Sequence, residues 1–220
     1  MPKTIRLDNM LPNVFRKNLE TGGNMPSGEI WQNDFIFEKG KRYLIEAASG
    51  TGKSSLCAYI MGMRKDFEGT LYFDYENSNN FSSAKWSHLR QTSLSWMPQE
   101  MGLFQNLTLI ENLKIKNNLT NRLTLNEMMK MIELLDLTAK VNTLASLLSI
   151  GQQQRVAFLR SLCQPADFFI LDEPVSHLDE ENNEMISDIL DRVATSTGAG
   201  VIVTSVGNHL RLKNLQHYTL

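Results

Sequence analysis

A glycine-containing segment, AASGTGKS at residues 47–54, has the residue types that hold a phosphate group. The phosphate-loop pattern requires a Gly, four further residues and then Gly-Lys-Ser or Gly-Lys-Thr. Gly52, Lys53 and Ser54 match this pattern, while Ala47 replaces the first Gly. Consecutive backbone N–H groups can then curl around an anion, and the following helix points its positive N-terminal end at the same anion. The segment predicts phosphate binding, and an ordinary glycine turn between a strand and a helix is the alternative.

The side chains of this segment can supply the chemistry that a bound nucleotide needs. Lys53 can neutralise charge on the β- and γ-phosphates, and the hydroxyl of Ser54 can ligate Mg²⁺. The candidate nucleotide-binding residues are the seven consecutive ones Ser49, Gly50, Thr51, Gly52, Lys53, Ser54 and Ser55.

Two acidic residues, Asp172 and Glu173, follow the apolar run at 168–171. The carboxyl end of such a strand is where open α/β sheets place ligand sites. Neighbouring residues of a strand point to opposite faces, so the two acids can have different roles. Asp172 is a candidate to hold Mg²⁺ through its water shell, and Glu173 is a candidate general base for an attacking water. A solvated turn before Pro174 is the alternative, but the phosphate loop about 120 residues earlier favours the catalytic interpretation.

The composition describes an ordinary globular chain. Of its 220 residues, 42% are hydrophobic and 21% are charged, and the formal net charge is −2. This charge argues against a strongly basic surface, and we expect no nucleic-acid partner. Cys57 and Cys163 lie in apolar stretches and are predicted to be buried reduced thiols. No run approaches the roughly 20 apolar residues that span a bilayer, and no signal peptide is evident. We therefore expect a cytoplasmic chain that reaches the inner face of a membrane through a partner.

The hydrophobic pattern predicts strands and helices that alternate around these motifs. Strands of a mostly parallel sheet are predicted at three apolar runs, 43–45, 168–171 and 201–204. Helices are predicted after Ser54 and at 180–194, and Thr124 with Glu127 has the spacing of a capping box. The polar segment 11–29 is predicted to be a loop. The pattern indicates an α/β fold with a helical insertion.

Residues 147–157, LLSIGQQQRVA, resemble the signature of ATP-binding cassette proteins, which is LSGGQ followed by QQRV. Ile150 stands in place of the first Gly of the pair. The segment lies about 20 residues before Asp172, as in the family, whereas generic phosphate-loop enzymes lack it. Residues 96–100, WMPQE, resemble the Q-loop of the family, and residues 176–179, SHLD, resemble its D-loop. The ordered set covers nearly the whole chain, which is thereby identified as a member of this family; the cap of an ordinary helix is the alternative for the signature segment alone.

The resemblance implies a P-loop NTPase core with a mostly parallel sheet, an N-terminal antiparallel β part and an inserted α-helical subdomain. It implies a single domain over 1–220, with a catalytic core at about 1–85 and 150–220 and a helical subdomain at about 86–149. In length, the chain most resembles the cassettes of the lipoprotein-release, macrolide-efflux and cell-division types.

The resemblance also implies a mechanism that uses ATP and Mg²⁺ and is shared between two chains. Two copies, or this chain and a paired relative, pack head to tail, and each ATP lies between one phosphate loop and the other signature. Ser149, Gly151 and Gln152 are implied to contact γ-phosphate across this interface. Gln99 is implied to reach Mg²⁺ and the attacking water, and Asp179 of the D-loop is implied to lie at the nucleotide.

Three residues depart from the family pattern near the implied phosphate contacts. The family places a His after its last core strand, where it bonds γ-phosphate, and here Ser205 occupies that position. Serine is shorter and cannot carry positive charge; His209, four residues later, is the alternative. Together with Ile150 and Ala47, this departure leads us to hypothesise an ATPase that binds nucleotide well but hydrolyses it slowly, with Ser205 at the catalytic position.

The aromatic residue that stacks on adenine is assigned from its position in the chain. Phe15, which precedes the first loop, is the candidate, with Trp31 and Phe35 as alternatives. Each of the three is also suited to the hydrophobic core.

Two functions are compatible with these features. The first is the ATPase subunit of a transporter whose permease is a separate membrane chain. The second is a slowly hydrolysing, nucleotide-gated dimer that regulates a membrane or cell-wall partner, and Ser205 favours it. Steady-state ATP hydrolysis with and without the partner discriminates between the two.

Overall fold

The structure, a computed structural model, describes residues 2–20 and 28–220. Within these ranges, the strands are β1 (Thr4–Pro12), β2 (Asp34–Glu38), β3 (Arg42–Glu46), β4 (Phe67–Phe73), β5 (Glu76–Asn77), β6 (Leu94–Met97), β7 (Phe168–Asp172), β8 (Gly200–Ser205) and β9 (Leu215–Thr219). The α-helices are α1 (Asn13–Glu20), α2 (Lys53–Ile60), α3 (Ser83–Thr92), α4 (Leu109–Asn117), α5 (Leu125–Leu134), α6 (Ile150–Leu162) and α7 (Glu180–Thr197). Two sheets organise these elements.

The larger sheet has the strand order β6-β7-β8-β3-β9, and all of its pairings are parallel. Every residue of β7 and β8 is buried, as the unbroken apolar runs of these strands require. In the hydrogen-bond register, Asp172 lies beside Thr204 and Glu46 lies beside Ser205. The predicted parallel sheet is confirmed, and the carboxyl ends of three strands meet at one edge.

The smaller sheet is antiparallel, with the order β2-β1-β4-β5. Its buried face carries Ile5, Phe37 and Leu71, which belong to the same apolar cluster as Ile45 of β3 and Ile202 of β8. Packing between the two sheets therefore forms one of the main cores. The predicted antiparallel N-terminal part is confirmed.

Residues 11–12 end β1 and residues 13–20 form helix α1, so the prediction that the polar segment 11–29 is a loop is wrong for 11–20. The helix follows β1 directly, and the N–H of Asn13 donates to the carbonyl of Asp66 at 2.9 Å. Phe15 is buried in the core beside α2, so packing of this helix against the core stabilises it. Residues 21–27 of the predicted loop lie outside the described residues.

The helical part of the chain lies between β6 and α6. The capping box predicted at Thr124 and Glu127 is confirmed at the start of α5, and a second, at Thr108 and Glu111, starts α4. Helix α3 spans the predicted subdomain boundary near 86, and β6 pairs with β7 in the parallel sheet; the boundary itself stays a prediction. Strand β6, with four residues, is too short to show a recognisable hydrophobic period in the sequence.

No helix in the described part of the chain combines the length and the apolar character that a bilayer span requires. Cys57 and Cys163 are both free and buried, as predicted. Burial raises the pKa of the Cys163 thiol to about 12, so this thiol stays protonated and unreactive at neutral pH.

Candidate functional site

The phosphate loop joins the end of β3 to the start of α2. Gly50 and Gly52 adopt φ angles of 83° and 100°, the left-handed region that favours glycine. A Cβ atom on Gly52 would lie 3.2 Å from ring atoms of both Phe15 and Trp31, a tight contact that would require these rings to shift slightly. Helix α2 begins at Lys53 with no side-chain hydrogen bond from its N-cap residue. Its first N–H groups and the positive end of its dipole therefore suit an anion.

Lys53 lies across this loop and is almost fully buried, with 5% of its side chain exposed. Its Nζ donates to the carbonyls of Ala47 at 2.8 Å and Ala48 at 2.9 Å, and it lies 3.8 Å from Oε1 of Glu173. Ala47 is not among the described non-glycine residues with positive φ. Alanine in place of the first glycine of the pattern therefore causes no backbone strain.

The two acids at the end of β7 occupy different environments. Asp172 is buried and accepts a hydrogen bond from the hydroxyl of Thr204 on β8. Glu173 adopts a φ of 50°, and its carboxylate reaches the phosphate loop. Oε2 of Glu173 accepts a hydrogen bond from Nε2 of Gln99 at 3.3 Å, and Oε1 of Gln99 accepts one from the hydroxyl of Ser54 at 3.4 Å. The acid, the amide and the serine thus form one polar chain beside Lys53.

A cavity of about 250 Å³ lies above the loop. Its lining brings together most of the predicted site residues, namely Phe15, Ser49, Gly50, Gly52, Lys53, Ser54, Ser55, Gln99 and Glu173, together with Val14. Thr51 does not line it; its hydroxyl donates to the carbonyl of Ala48 at 2.8 Å and shapes the loop. Asp172 is not among the lining residues, although it adjoins Glu173 in the chain.

Of the three aromatic candidates for adenine, Phe15 alone lines the cavity. Trp31 lies behind the loop, and its Nε1 donates to the carbonyl of Thr51 at 3.1 Å. Phe35 packs in an aromatic cluster with Phe37 and Tyr218, with ring centroids 4.9 and 4.7 Å away. This geometry favours Phe15 and gives the other two structural roles.

The signature residues do not line the cavity of the same chain. Ser149 is the N-cap of α6: its hydroxyl accepts from the N–H of Gln152 at 3.3 Å, and Oε1 of Gln152 accepts from the N–H of Ser149 at 3.0 Å. Gly151 packs closely against the D-loop, since a Cβ there would lie 3.3 Å from the carbonyl oxygen of His177. Ile150 is 57% exposed at the same helix end. A helix N-terminus with exposed residues is thus presented on the surface of the chain.

Asp179 caps α7 rather than lining the cavity. Its carboxylate accepts from the N–H of Asn182 at 2.9 Å, and this hydrogen bond holds the pKa of Asp179 below its usual value. Its predicted contact with nucleotide stays a prediction.

Ser205 also lies outside the cavity lining, and it is only 1% exposed. Its hydroxyl donates to the carbonyl of Asn208 at 2.7 Å and accepts from the N–H of Gly207 at 2.9 Å. Both hydrogen bonds close the turn after β8, so this structure gives Ser205 a structural role. His209 lies beside the same turn, with Nδ1 3.2 Å from the carbonyl oxygen of Gly207. A phosphate contact from either residue stays a prediction.

Sequence reasoning missed three residues of this region. Val14 lines the cavity next to Phe15, and Thr204 and Gln154 both bind the backbone of Glu173. Thr204 ends the apolar run 201–204, and Gln154 lies in the signature segment 147–157. A hydroxyl in an otherwise apolar strand and a buried amide in a helix were the available signals.

A strand, a phosphate loop and a helix N-terminus, with a pair of acids on a nearby parallel strand, define the P-loop class of nucleotide-binding proteins. The profile of the ABC transporter family matches residues 32–176, and the chain belongs to this family. The predicted class of protein, an ATP-binding cassette ATPase, and the predicted fold class are thereby confirmed.

Known relatives and a solved structure agree with this assignment. The chain is 30% identical over 204 residues to the lipoprotein-releasing system ATP-binding protein LolD of Buchnera aphidicola, covering 90% of this chain and 85% of that protein. It is 32% identical over 173 residues to the methionine import ATP-binding protein MetN of Lactobacillus acidophilus, covering 76% of this chain and 49% of that protein. The dimeric post-hydrolysis structure of the cassette MJ0796, from Methanocaldococcus jannaschii, bound to ADP and Pi, matches with a TM-score of 0.73 at 23% identity and covers 91% of this chain and 87% of that one.

Proposed function

We propose that this chain is the ATP-binding and ATP-hydrolysing subunit of a membrane transporter and drives a separate permease through ATP-dependent dimerisation. One observation carries the proposal: the cavity contains the phosphate loop, Gln99 and Glu173 but no signature residue. A second cassette, either a copy or a paired relative, would complete the site if it packed head to tail. The γ-phosphate would then contact both chains and favour the closed dimer, whereas ADP lacks those contacts. The dimeric state of the MJ0796 cassette supports this arrangement.

The oxygen donors at the cavity fit Mg²⁺. The hydroxyl of Ser54 and Oε1 of Gln99 lie 3.4 Å apart. Asp172, the last residue of the nearby strand β7, provides a carboxylate. Mg²⁺ prefers hard oxygen ligands, commonly one or two carboxylates with substrate phosphates. These three residues would hold the ion, which supplies charge neutralisation on the β- and γ-phosphates when bound.

The remaining residues have separate roles in this proposal. The N–H groups of residues 49–55 and Nζ of Lys53 bind the phosphates, and Phe15 stacks on adenine. Glu173 accepts a proton from the attacking water, and Gln99 orients that water. Ser149, Gly151 and Gln152 bind γ-phosphate of the opposite site, next to the positive end of α6.

A second cleft, of about 270 Å³, suits contact with the permease. Its lining includes Arg90, Lys116 and Arg160, and none of these forms an ion pair with a described carboxylate. Burial, reinforced by the charge of Arg160, lowers the pKa of Lys116. Nε1 of Trp96 is buried there without a hydrogen-bond partner among the described residues. We propose that an acidic, partly apolar segment of the permease binds this cleft. Its lining includes Trp96 and Pro98 of the Q-loop, so binding there would link transport to Gln99.

Lys116→Gln is expected to weaken stimulation of ATP hydrolysis by the permease while leaving basal hydrolysis unchanged. Removing one partner of a desolvated charge pair should raise the permease concentration needed for half-maximal stimulation about tenfold. The measurement is ATPase activity titrated with a candidate permease in nanodiscs. The matched control is Lys130→Gln, which removes an exposed charge from α5. Equal stimulation of both variants would contradict the proposed contact.

The second candidate, a slowly hydrolysing nucleotide-gated dimer, is favoured by Ser205 at the position of the family His. Ser205→His is expected to raise turnover about tenfold, because an imidazole could donate a charge-assisted hydrogen bond to γ-phosphate. Ser205→Ala is the control, since it also breaks the turn hydrogen bonds but adds no donor. Steady-state hydrolysis is measured for both. An unchanged or lower rate in folded Ser205→His would reject the hypothesis.

Under either candidate, the chain would lie at the inner face of the cell membrane, bound through its partner, with no nucleic acid involved. Lipoprotein release, which the name of LolD states, and methionine import, which the name of MetN states, are both compatible with this site.

A further inference from the structure

The backbone of Glu173 adopts an uncommon conformation. Its φ of 50° lies in the left-handed region, where residues other than Gly, Asn and Asp are rare. The residue also precedes Pro174, and a residue before proline favours an extended backbone. Such a conformation persists only where neighbouring groups hold it.

Thr204 holds the amino side of Glu173. The N–H of Glu173 donates both to the carbonyl of Thr204 at 3.2 Å and to its hydroxyl at 3.3 Å. The same hydroxyl donates its proton to Asp172 Oδ1, and Thr204 is fully buried. One hydroxyl therefore joins the two acids at the end of β7.

Gln154 holds the carbonyl side. It lies on α6, is 1% exposed, and its Nε2 donates to the carbonyl of Glu173 at 3.0 Å. Nε2 also donates to the hydroxyl of Ser176 at 3.1 Å, and Oε1 accepts from the N–H of His177 at 3.0 Å. Helix α6, whose N-cap is the signature residue Ser149, is thereby hydrogen-bonded both to Glu173, the candidate general base, and to the D-loop.

We propose that Thr204 and Gln154 are positioning residues that clamp the backbone of Glu173 in its left-handed conformation and so aim its carboxylate at the phosphate loop. This inference rests on the proposed function, in which Glu173 is the base. Because Gln154 belongs to the signature helix, a shift of α6 on dimer closure would be transmitted directly to Glu173.

Thr204→Val tests the clamp, because it keeps the shape of the side chain and removes the hydroxyl. We expect kcat to fall about tenfold or more, while the dissociation constant for ATP stays within about twofold of the wild type. Thr204→Ser, which keeps the hydroxyl, should restore kcat to within about threefold. In the nucleotide-free protein, amide hydrogen exchange at Glu173 should be faster in Thr204→Val than in the wild type.

Ser95→Ala is the matched control, because it removes a buried hydroxyl from β6 of the same sheet, where it bonds the carbonyl of Ser161. Equal loss of kcat in Ser95→Ala, or no rescue by Thr204→Ser, would assign Thr204 a merely structural role and overturn the proposal. Gln154→Met provides a second test of the carbonyl side if Thr204→Val does not fold, with the same expected loss of kcat. If the wild type hydrolyses ATP no faster than Lys53→Ala does, the proposed function is rejected instead. In that case, amide exchange at Glu173 that is the same in Thr204→Val as in the wild type would still reject the clamp.

Discussion

Glu173→Gln is expected to abolish most ATP hydrolysis and to accumulate an ATP-bound dimer. The glutamine keeps the size and the hydrogen-bonding reach of the side chain, which lies 3.3 Å from Gln99 and 3.8 Å from Lys53, but it is too weak a base to take a proton from water. Loss of a general base lowers turnover by about 10²- to 10⁴-fold. ATP still connects the two half sites, so the closed dimer persists. Single-turnover hydrolysis and size-exclusion chromatography with Mg²⁺ and ATP measure the two effects.

The control for this variant is Glu46→Gln. Glu46 ends β3 of the same sheet, is partly buried and does not line the cavity. It should hydrolyse ATP at a rate within about threefold of the wild type, since no proton transfer depends on it. Rapid hydrolysis by a folded Glu173→Gln variant would assign the base to another residue. The transporter and the nucleotide-gated dimer predict the same trapped state, so this experiment tests the site rather than the choice between them.

Lys53→Ala is expected to weaken ATP binding about a hundredfold. Lys53 is the one cation among the described residues that line the cavity, and its burial strengthens its interaction with phosphate. A hydrogen bond to a charged group contributes about 1.5–3 kcal/mol, and 2.7 kcal/mol corresponds to about a hundredfold change in affinity. Calorimetric titration with Mg²⁺ and ATP measures the effect.

Two further variants make the result for Lys53 specific. Lys53→Met keeps the apolar stem of the side chain and should lose affinity to the same extent, because only the ammonium is removed. Lys65→Ala removes an exposed lysine beyond α2 and should bind ATP as the wild type does. Intact affinity in both Lys53 variants would contradict the assignment of this loop as the nucleotide site. A loss of affinity shared by Lys65→Ala would indicate a general charge effect.

The local motifs could be predicted because their physical requirements are local. In this phosphate loop, Gly50 and Gly52 adopt positive φ and Lys53 starts the helix, and all three are visible as residue types. The capping box at Thr124 and Glu127 is likewise a spacing of three residues. Most of the residues named from the sequence therefore line the cavity, including Glu173 at the end of its strand, and their roles toward nucleotide stay predictions.

Other features depend on contacts between distant segments and could not be predicted. Helix α1 forms in a polar stretch, with Phe15 packed beside Gly52 about 37 positions later in the chain. Strand β6 is defined by its pairing with β7 rather than by a pattern of its own. The hydroxyl of Thr204 meets Asp172 and Glu173 only because β7 and β8 are neighbours in register.

The sequence by itself determined the class of this protein, its inventory of reactive groups and the alternation of its main elements, because each depends on residue type and short-range spacing. Only the tertiary structure decided which of those groups meet. It brought Lys53 and Glu173 to one cavity, left the signature at Ser149 outside it, and closed Ser205 into a turn. The reason is physical: strand order and register set distances between residues more than a hundred positions apart, and no local pattern encodes those distances.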